Sequence, residues 1–348
     1  MIELIRALRE ASPGVAIAVR TSAPRRLYEL SAVDFFSIQC DPGMVQIDSL
    51  HLDEAESIRQ AAAFHATLGD RAARESSFLK QSGAQLVVGD IPPLAFAAAA
   101  RAEVPAIAIS NFTWDWIYAG YDNASNGPLI DTIRAAYRRA ALALRLPMAG
   151  GFAGLEQITR DIPFIARHST RERADVRRWL AVPADKRLLL MSFGGYGLAG
   201  LDTAALGQLR DYTIMTTDFP AQGHDLEPAP GVVYLPEARL YGAGYRYQDL
   251  VLAADVVVTK PGYGIISECI ANDTAVLYTS RGRFPEYDVL VKEMPKYLRA
   301  QFIEQDDLLA GRWKPSLEKL LSSPKPAVKL ATNGAQIAAN VILATIDD

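Results

Sequence analysis

The stretch Asp255-Val256-Val257-Val258-Thr259-Lys260-Pro261-Gly262-Tyr263-Gly264-Ile265-Ile266-Ser267-Glu268 decides the fold class. Three consecutive β-branched residues, Val256 to Val258, predict a strand covered on both faces, as in a parallel sheet. Gly262 and Gly264 predict a sharp turn that leaves room for a ligand. A helix starting near Gly264 would aim its free N–H groups and positive dipole end at that room, which suits phosphate. Glu268, about one turn in, can accept hydrogen bonds from a ribose diol. The competing reading is an ordinary βα turn with a solvated carboxylate.

Outward from this stretch, strands and helices alternate. A helix opens the chain, carried by Met1, Ile2, Leu4, Ile5 and Leu8. Strands are predicted at 15–19, 35–40, 85–90 and 106–110, with one long helix over 53–82 and another over 128–144. Asn111 to Tyr118 is dense in aromatics just past a strand end. After a weakly patterned junction, Pro147 to Phe164, the alternation resumes with strands at 187–193, 212–216, 232–235 and 274–279. A final helix covers 333–345. Such alternation means α/β domains with parallel sheets, which bind ligands at the carboxyl ends of their strands. Asp90, Ser110 to Asp115, Gly194 to Gly197 and Lys260 to Glu268 all fall at those ends.

Composition narrows the class. The chain has 348 residues, half of them apolar, with a net charge of -4. That length suits two domains, and the acidic balance gives no reason to expect a nucleic-acid partner. Cys40 and Cys269 lie far apart, and His51, His65, His168 and His224 show no metal-ligand spacing, so no bound metal or cofactor is expected. No apolar run could span a bilayer. Charged residues from Glu3 to Glu10 break any signal peptide, so a cytoplasmic setting is expected.

Five stretches together resemble the GT-B glycosyltransferases, in the branch related to bacterial MurG and to the N-terminal half of plant L-arabinokinase. They are Asp41-x-Gly43-x-x-Gln46-x-Asp48-Ser49, Ser110-Asn-Phe-x-Trp-Asp-Trp-Ile-Tyr118, Phe193-Gly-Gly195, Lys260-Pro-Gly-Tyr-Gly-x-x-Ser-Glu268 and Phe284-Pro-Glu286. The resemblance implies two facing Rossmann-like domains, 1–160 on the acceptor side and 161–332 holding the nucleotide sugar, with helix 333–346 packing back on the first. It implies donor contacts from Arg167, Gly194, Gly195, Lys260, Gly262, Tyr263, Gly264, Ser267, Glu268 and Glu286. The acceptor side would use Asp41, Gln46, Asp48, Asn111, Trp114 and Asp115. The implied reaction is metal-independent, inverting transfer from a small-molecule nucleotide diphosphate sugar, UDP-linked by expectation, to an acceptor the resemblance does not specify.

The general base has no assigned residue; Asp90 and Asp115 are the candidates. Relatives in this branch begin with a strand and a histidine-bearing glycine loop directly before the first helix, and this sequence has neither. The expectation is either a longer natural chain or a degenerate homologue. Without that central strand its neighbours lose ladder partners. Two alternatives stand beside transfer: a non-catalytic nucleotide-sugar-binding or regulatory module, and a nucleotide-sugar 2-epimerase, which the sparse histidines disfavour. MurG-like enzymes act on lipid-linked acceptors, but no apolar, basic helix here supports membrane docking.

Overall fold

The computed structural model describes residues 1–28, 32–121, 126–194, 198–217 and 232–347. The C-terminal half is a six-stranded parallel sheet in the order β11-β10-β9-β12-β13-β14. These are β9 (Arg187–Ser192), β10 (Tyr212–Thr216), β11 (Val232–Tyr234), β12 (Val256–Thr259), β13 (Ala275–Tyr278) and β14 (Ala300–Phe302). Both faces are covered, and alternation along β9 shows it. Leu188 and Leu190 join the core under α10 (Tyr247–Ala253) and α11 (Tyr263–Ala271), while Leu189 and Met191 pack with Trp313, Leu317 and Leu320 of the opposite face. All four residues of β12 are buried, as the uninterrupted valines require.

The N-terminal half is built on β5 (Val87–Gly89), β6 (Ala106–Phe112), β7 (Leu142–Gly150) and β8 (Thr159–Asp161), all parallel. α1 (Ile2–Ala11) and α15 (Gly334–Asp347) cover one face, where Leu4, Leu8 and Ile342 meet Ile107, Ile109 and Leu144. α4 (Pro93–Ala102) and α6 (Gly127–Tyr137) cover the other through Phe96, Ala99, Ile133 and Tyr137. The last helix of the chain therefore packs on the first. Two strand-like crossings join the halves side by side: Ile165 bridges Asn333, and Gly334 N donates to Phe164 O at 2.9 Å.

β1 (Ala18–Thr21) and β2 (Asp34–Ser37) form a separate two-stranded parallel sheet. Among the described residues, β1 pairs only with β2 and β5 only with β6. Val87 and Val88 point to opposite faces of β5, and both stay half-buried, whereas the equivalent residues of β6 are fully buried. Among the described residues the N-terminal strands thus form two separate pieces.

Several expected elements differ. The helix over 53–82 is two helices, α2 (Glu54–Ala66) and α3 (Leu68–Gln81). Thr67 breaks it by turning its hydroxyl onto Phe64 O at 3.1 Å. The helix expected to reach 144 stops at Tyr137, and Leu142 to Gly150 is β7. Its alternation sends Leu144 and Leu146 to one core and Ala143 to the other. Pro147 fits because the register shifts there, Ser110 facing Arg145 and Phe112 facing Gly150. Just before Arg167 the chain makes a single antiparallel bridge, Ile165 with Asn333.

Candidate functional site

The carboxyl ends of the two parallel sheets come together where Asn111, near the end of β6, bonds Glu286, in the segment after β13. From the C-terminal half, β12 ends at Thr259, whose hydroxyl bonds Ser192 O at 2.6 Å and ties the end of β12 to that of β9. Gly262 then caps α11 with an extended backbone, φ -147° and ψ 149°. Neither Gly262 nor Gly264 adopts a left-handed conformation, which corrects the sharp-turn expectation. What they provide is space. A Cβ at Gly264 would meet nothing within 4 Å, and one at Gly262 only Arg281 Nη1 at 3.7 Å. Gly194 at the end of β9 does need glycine, with φ +78° and open space around it. Gly195 lies outside the described residues.

Glu268 is not a solvated first-turn carboxylate. It lies a turn and a half into α11 and is 3% exposed. Arg167 bonds Oε1, while Oε2 is buried without a partner. Burial raises its pKa and Arg167 partly offsets this; Glu3 of α1 raises it further. A buried carboxylate oxygen left unmatched is costly unless something arrives to use it. Arg167 itself is held by Asn272, whose amide donates to Arg167 O at 3.1 Å and to Glu268 O. Asn272 was not singled out from the sequence, because its role depends on a segment 105 residues away. Ser267 is buried with its hydroxyl on Gly264 O, serving the helix. Tyr263 stacks obliquely on Phe164 and its buried hydroxyl has no partner; burial raises its pKa, and the charges of Glu286 and Asp90 add to the shift. Lys260 follows β12, half-buried at the mouth of the glycine turn.

The loop 281–286 fastens the two halves. Arg281 donates to Pro261 O at 3.0 Å and lies 3.8 Å from Glu286. Glu286 opens α12 (Pro285–Glu293) and is 5% exposed. Its carboxylate accepts from Asn111 Nδ2 at 2.8 Å, so an expected donor contact and an expected acceptor-side residue are bonded to each other across the cleft. Phe284 joins the N-terminal core with Trp114, Tyr118 and Tyr121. Gly120 permits the approach, since a Cβ there would sit 2.4 Å from Pro285 Cγ.

On the N-terminal side the expected residues divide. Trp114 and Asp115 start α5 (Trp114–Ala119). Asp115 is 2% exposed and bonded to Arg134 of α6 at 3.0 Å, so its carboxylate joins two helices and leaves no free base there. Asp48 caps an exposed turn, accepting from Leu50 N at 2.7 Å and pairing with the ring of His51 at 2.9 Å. Gln46 lies in the hairpin β3 (Val45–Gln46) and β4 (Leu52–Asp53), whose buried Leu50 reaches into the C-terminal core. Asp90 follows β5, and burial raises its pKa. Burial, and after it the charge of Asp90, push the Asp41 carboxyl up to about 6. Of the histidines, His65 is buried on Ala61 O and His51 is exposed; His224 lies outside the described residues.

No protein-family model matches the chain. Solved structures do match it from end to end. CalG4, the calicheamicin glycosyltransferase, is 15% identical with a TM-score of 0.65, covering 99% of this chain and 94% of its own. MurG of Acinetobacter baumannii is 15% identical with a TM-score of 0.56 over 99% and 94%. A UDP-glucosyltransferase from Polygonum tinctorium is 14% identical with a TM-score of 0.56 over 100% and 96%. The fold is GT-B. In sequence, the chain is 27% identical to L-arabinokinase of Arabidopsis thaliana over 358 aligned residues. That alignment takes in 99% of this chain but 33% of the kinase, so the chain spans about a third of that protein's length.

Among the described residues no three histidine, cysteine or acidic side chains gather as a metal site would require. No described helix is long and apolar enough to cross a membrane.

Proposed function

We propose that the chain is a glycosyltransferase that takes a sugar from a nucleotide diphosphate sugar, UDP-linked by preference, and passes it to a small hydroxyl-bearing acceptor without a bound metal. The observation that carries this reading is Glu268 Oε2, a buried carboxylate oxygen without a partner, beside a glycine turn at a helix N-terminus in a GT-B cleft. Glu268 would accept from the ribose hydroxyls. The N-terminal amides of α11, with no side chain at Gly264 to obstruct them, would hold the diphosphate. As the sugar–phosphate bond breaks, negative charge builds on the leaving oxygen, and those fixed dipoles stabilise it without reorganising. Attack from the N-terminal wall, opposite the diphosphate, makes the reaction inverting. The division at about residue 160 into acceptor and donor domains belongs to the same reading, as does a cytoplasmic setting.

Calorimetric titration of UDP, dTDP, GDP and UDP-glucose tests it. UDP should bind, and Glu268→Ala should weaken it tenfold or more, about 1.4 kcal/mol. A folded protein that binds none of these nucleotides refutes the proposal.

A second reading is favoured by one observation, the split N-terminal sheet. A cleft wall with open strand edges at β1 and β5 suits a module that binds a nucleotide sugar without turning it over. Nucleotide binding without nucleoside diphosphate release across an acceptor panel would favour it. The epimerase reading gains nothing, because the described histidines do not gather in the cleft.

A further inference from the structure

Arg281, in the segment after β13, was not singled out from the sequence, and its side chain is only 12% exposed. Nη1 donates to Pro261 O at 3.0 Å and would stand 3.7 Å from a Cβ at Gly262, the residue that caps α11. The guanidinium lies 4.4 Å from the centre of the Phe284 ring, which fixes it from one face. It is therefore held beside the N-terminus of α11, where the first N–H groups of the helix have no intrahelical partner. Two sources of positive potential meet there, the helix end and a full cation.

That charge is poorly matched. Among the described residues no carboxylate hydrogen-bonds Arg281; Glu286 Oε2 comes closest, at 3.8 Å from Nη1. Glu286 is held back by the other half of the chain. Asn111 of β6, 4% exposed, donates Nδ2 to Glu286 Oε1 at 2.8 Å. Tyr121 also faces Arg281, but its hydroxyl donates to Arg283 O at 2.8 Å and burial raises its pKa, so it stays a neutral phenol. Burial works against the Arg281 charge, and Glu286 supports it from a distance. Among the described residues Pro261 O is the one acceptor that Arg281 hydrogen-bonds. A mostly buried cation in that condition is costly unless an anion completes it.

We propose that Arg281 binds the nucleotide's diphosphate at the N-terminus of α11, and that Asn111 keeps it free to do so by holding Glu286 off. This rests on the nucleotide-sugar reading of that turn. At hydrogen-bonding distance Glu286 would neutralise Arg281; bonded to Asn111 it stops short. The amide comes from β6 of the N-terminal half and the carboxylate from α12 of the C-terminal half, so the cation is unmasked only while the halves are together. Asn111 is then a positioning residue that acts through Glu286 without touching the nucleotide. Arg281 offers phosphate oxygens a planar fork of donors. The ligand class is a nucleoside diphosphate or its sugar ester, not a bare nucleoside. Joining of the halves and binding of the diphosphate favour each other to the same degree.

The test is titration of UDP and of uridine into the whole chain and its variants, with circular dichroism to confirm the fold. Arg281→Gln should weaken UDP about tenfold or more and leave uridine, which has no phosphate, unchanged. Asn111→Leu should weaken UDP about fivefold, because Glu286 then closes on Arg281. Glu286→Gln removes the competing charge and should tighten UDP about threefold. The double variant Asn111→Leu, Glu286→Gln should bind UDP as Glu286→Gln does. That rescue separates masking from damage: a merely structural Asn111 would weaken uridine as much as UDP, and Glu286→Gln would not restore either. Equal losses of UDP and uridine in Arg281→Gln overturn the inference, and so does unchanged UDP affinity in a folded Asn111→Leu. If Arg281→Gln does not fold, the Asn111 and Glu286 variants decide alone. Failure of the folded wild type to bind UDP or dTDP sinks the nucleotide-sugar reading itself.

Discussion

Phe284→Ala tests whether the loop 281–286 truly joins the two halves. The ring comes from the C-terminal half but is 7% exposed within the N-terminal core, edge-on to Phe112 at 6.3 Å, with the Arg281 guanidinium 4.4 Å above it. Burial of a phenylalanine side chain is worth roughly 1.5–3 kcal/mol. The aromatic and cation contacts add about 0.5–1.5 kcal/mol. Truncation should therefore cost about 3 kcal/mol, near the low end of phenylalanine deletions from cores. The loss falls on the contact between halves, so their unfolding should also separate. Guanidinium denaturation followed by fluorescence and circular dichroism should show a lower midpoint and a smaller apparent m, or two transitions in place of one. A cost below about 1 kcal/mol with m unchanged would mean that Phe284 does not bear on the junction and that the cleft is held together elsewhere.

Two further outcomes follow from the same packing and charges. Gly120→Ala places a Cβ 2.4 Å from Pro285 Cγ, so it should cost about 1–3 kcal/mol in denaturation while a Gly264→Ala control, with open space at the Cβ, costs far less. Asp41→Asn should change stability only on one side of the pH scale. A carboxyl raised in the folded state lends stability below its ordinary value of 3.8, and that stability is lost as pH rises through about 6. The ionised form then costs the native protein up to about 3 kcal/mol. The variant should match wild type near pH 4 and exceed it near pH 8 in urea melts; equal stability at both pH values would contradict the raised carboxyl.

Much of this was written in local sequence. Three β-branched valines followed by a proline and two glycines specify a buried strand and a helix start, because those preferences act within a few residues. The alternation of such units specifies parallel sheets, and the strand ends specify where ligands go. Gly194, Lys260, Gly262 and Gly264 were legible as residues that follow strand ends for that reason. β7 was not. Its alternation sits behind a helix without a strong stop and contains a proline, and only pairing with β6 decides that it is a strand. Asp115 looked like a cleft carboxylate until α6 supplied Arg134, and Glu286 looked free to meet a sugar until the halves closed and Asn111 took it. Local sequence determines backbone shape because steric and hydrogen-bonding preferences are short-ranged. Which charges are buried, paired or left to act on a substrate is decided when distant segments exclude water from one another.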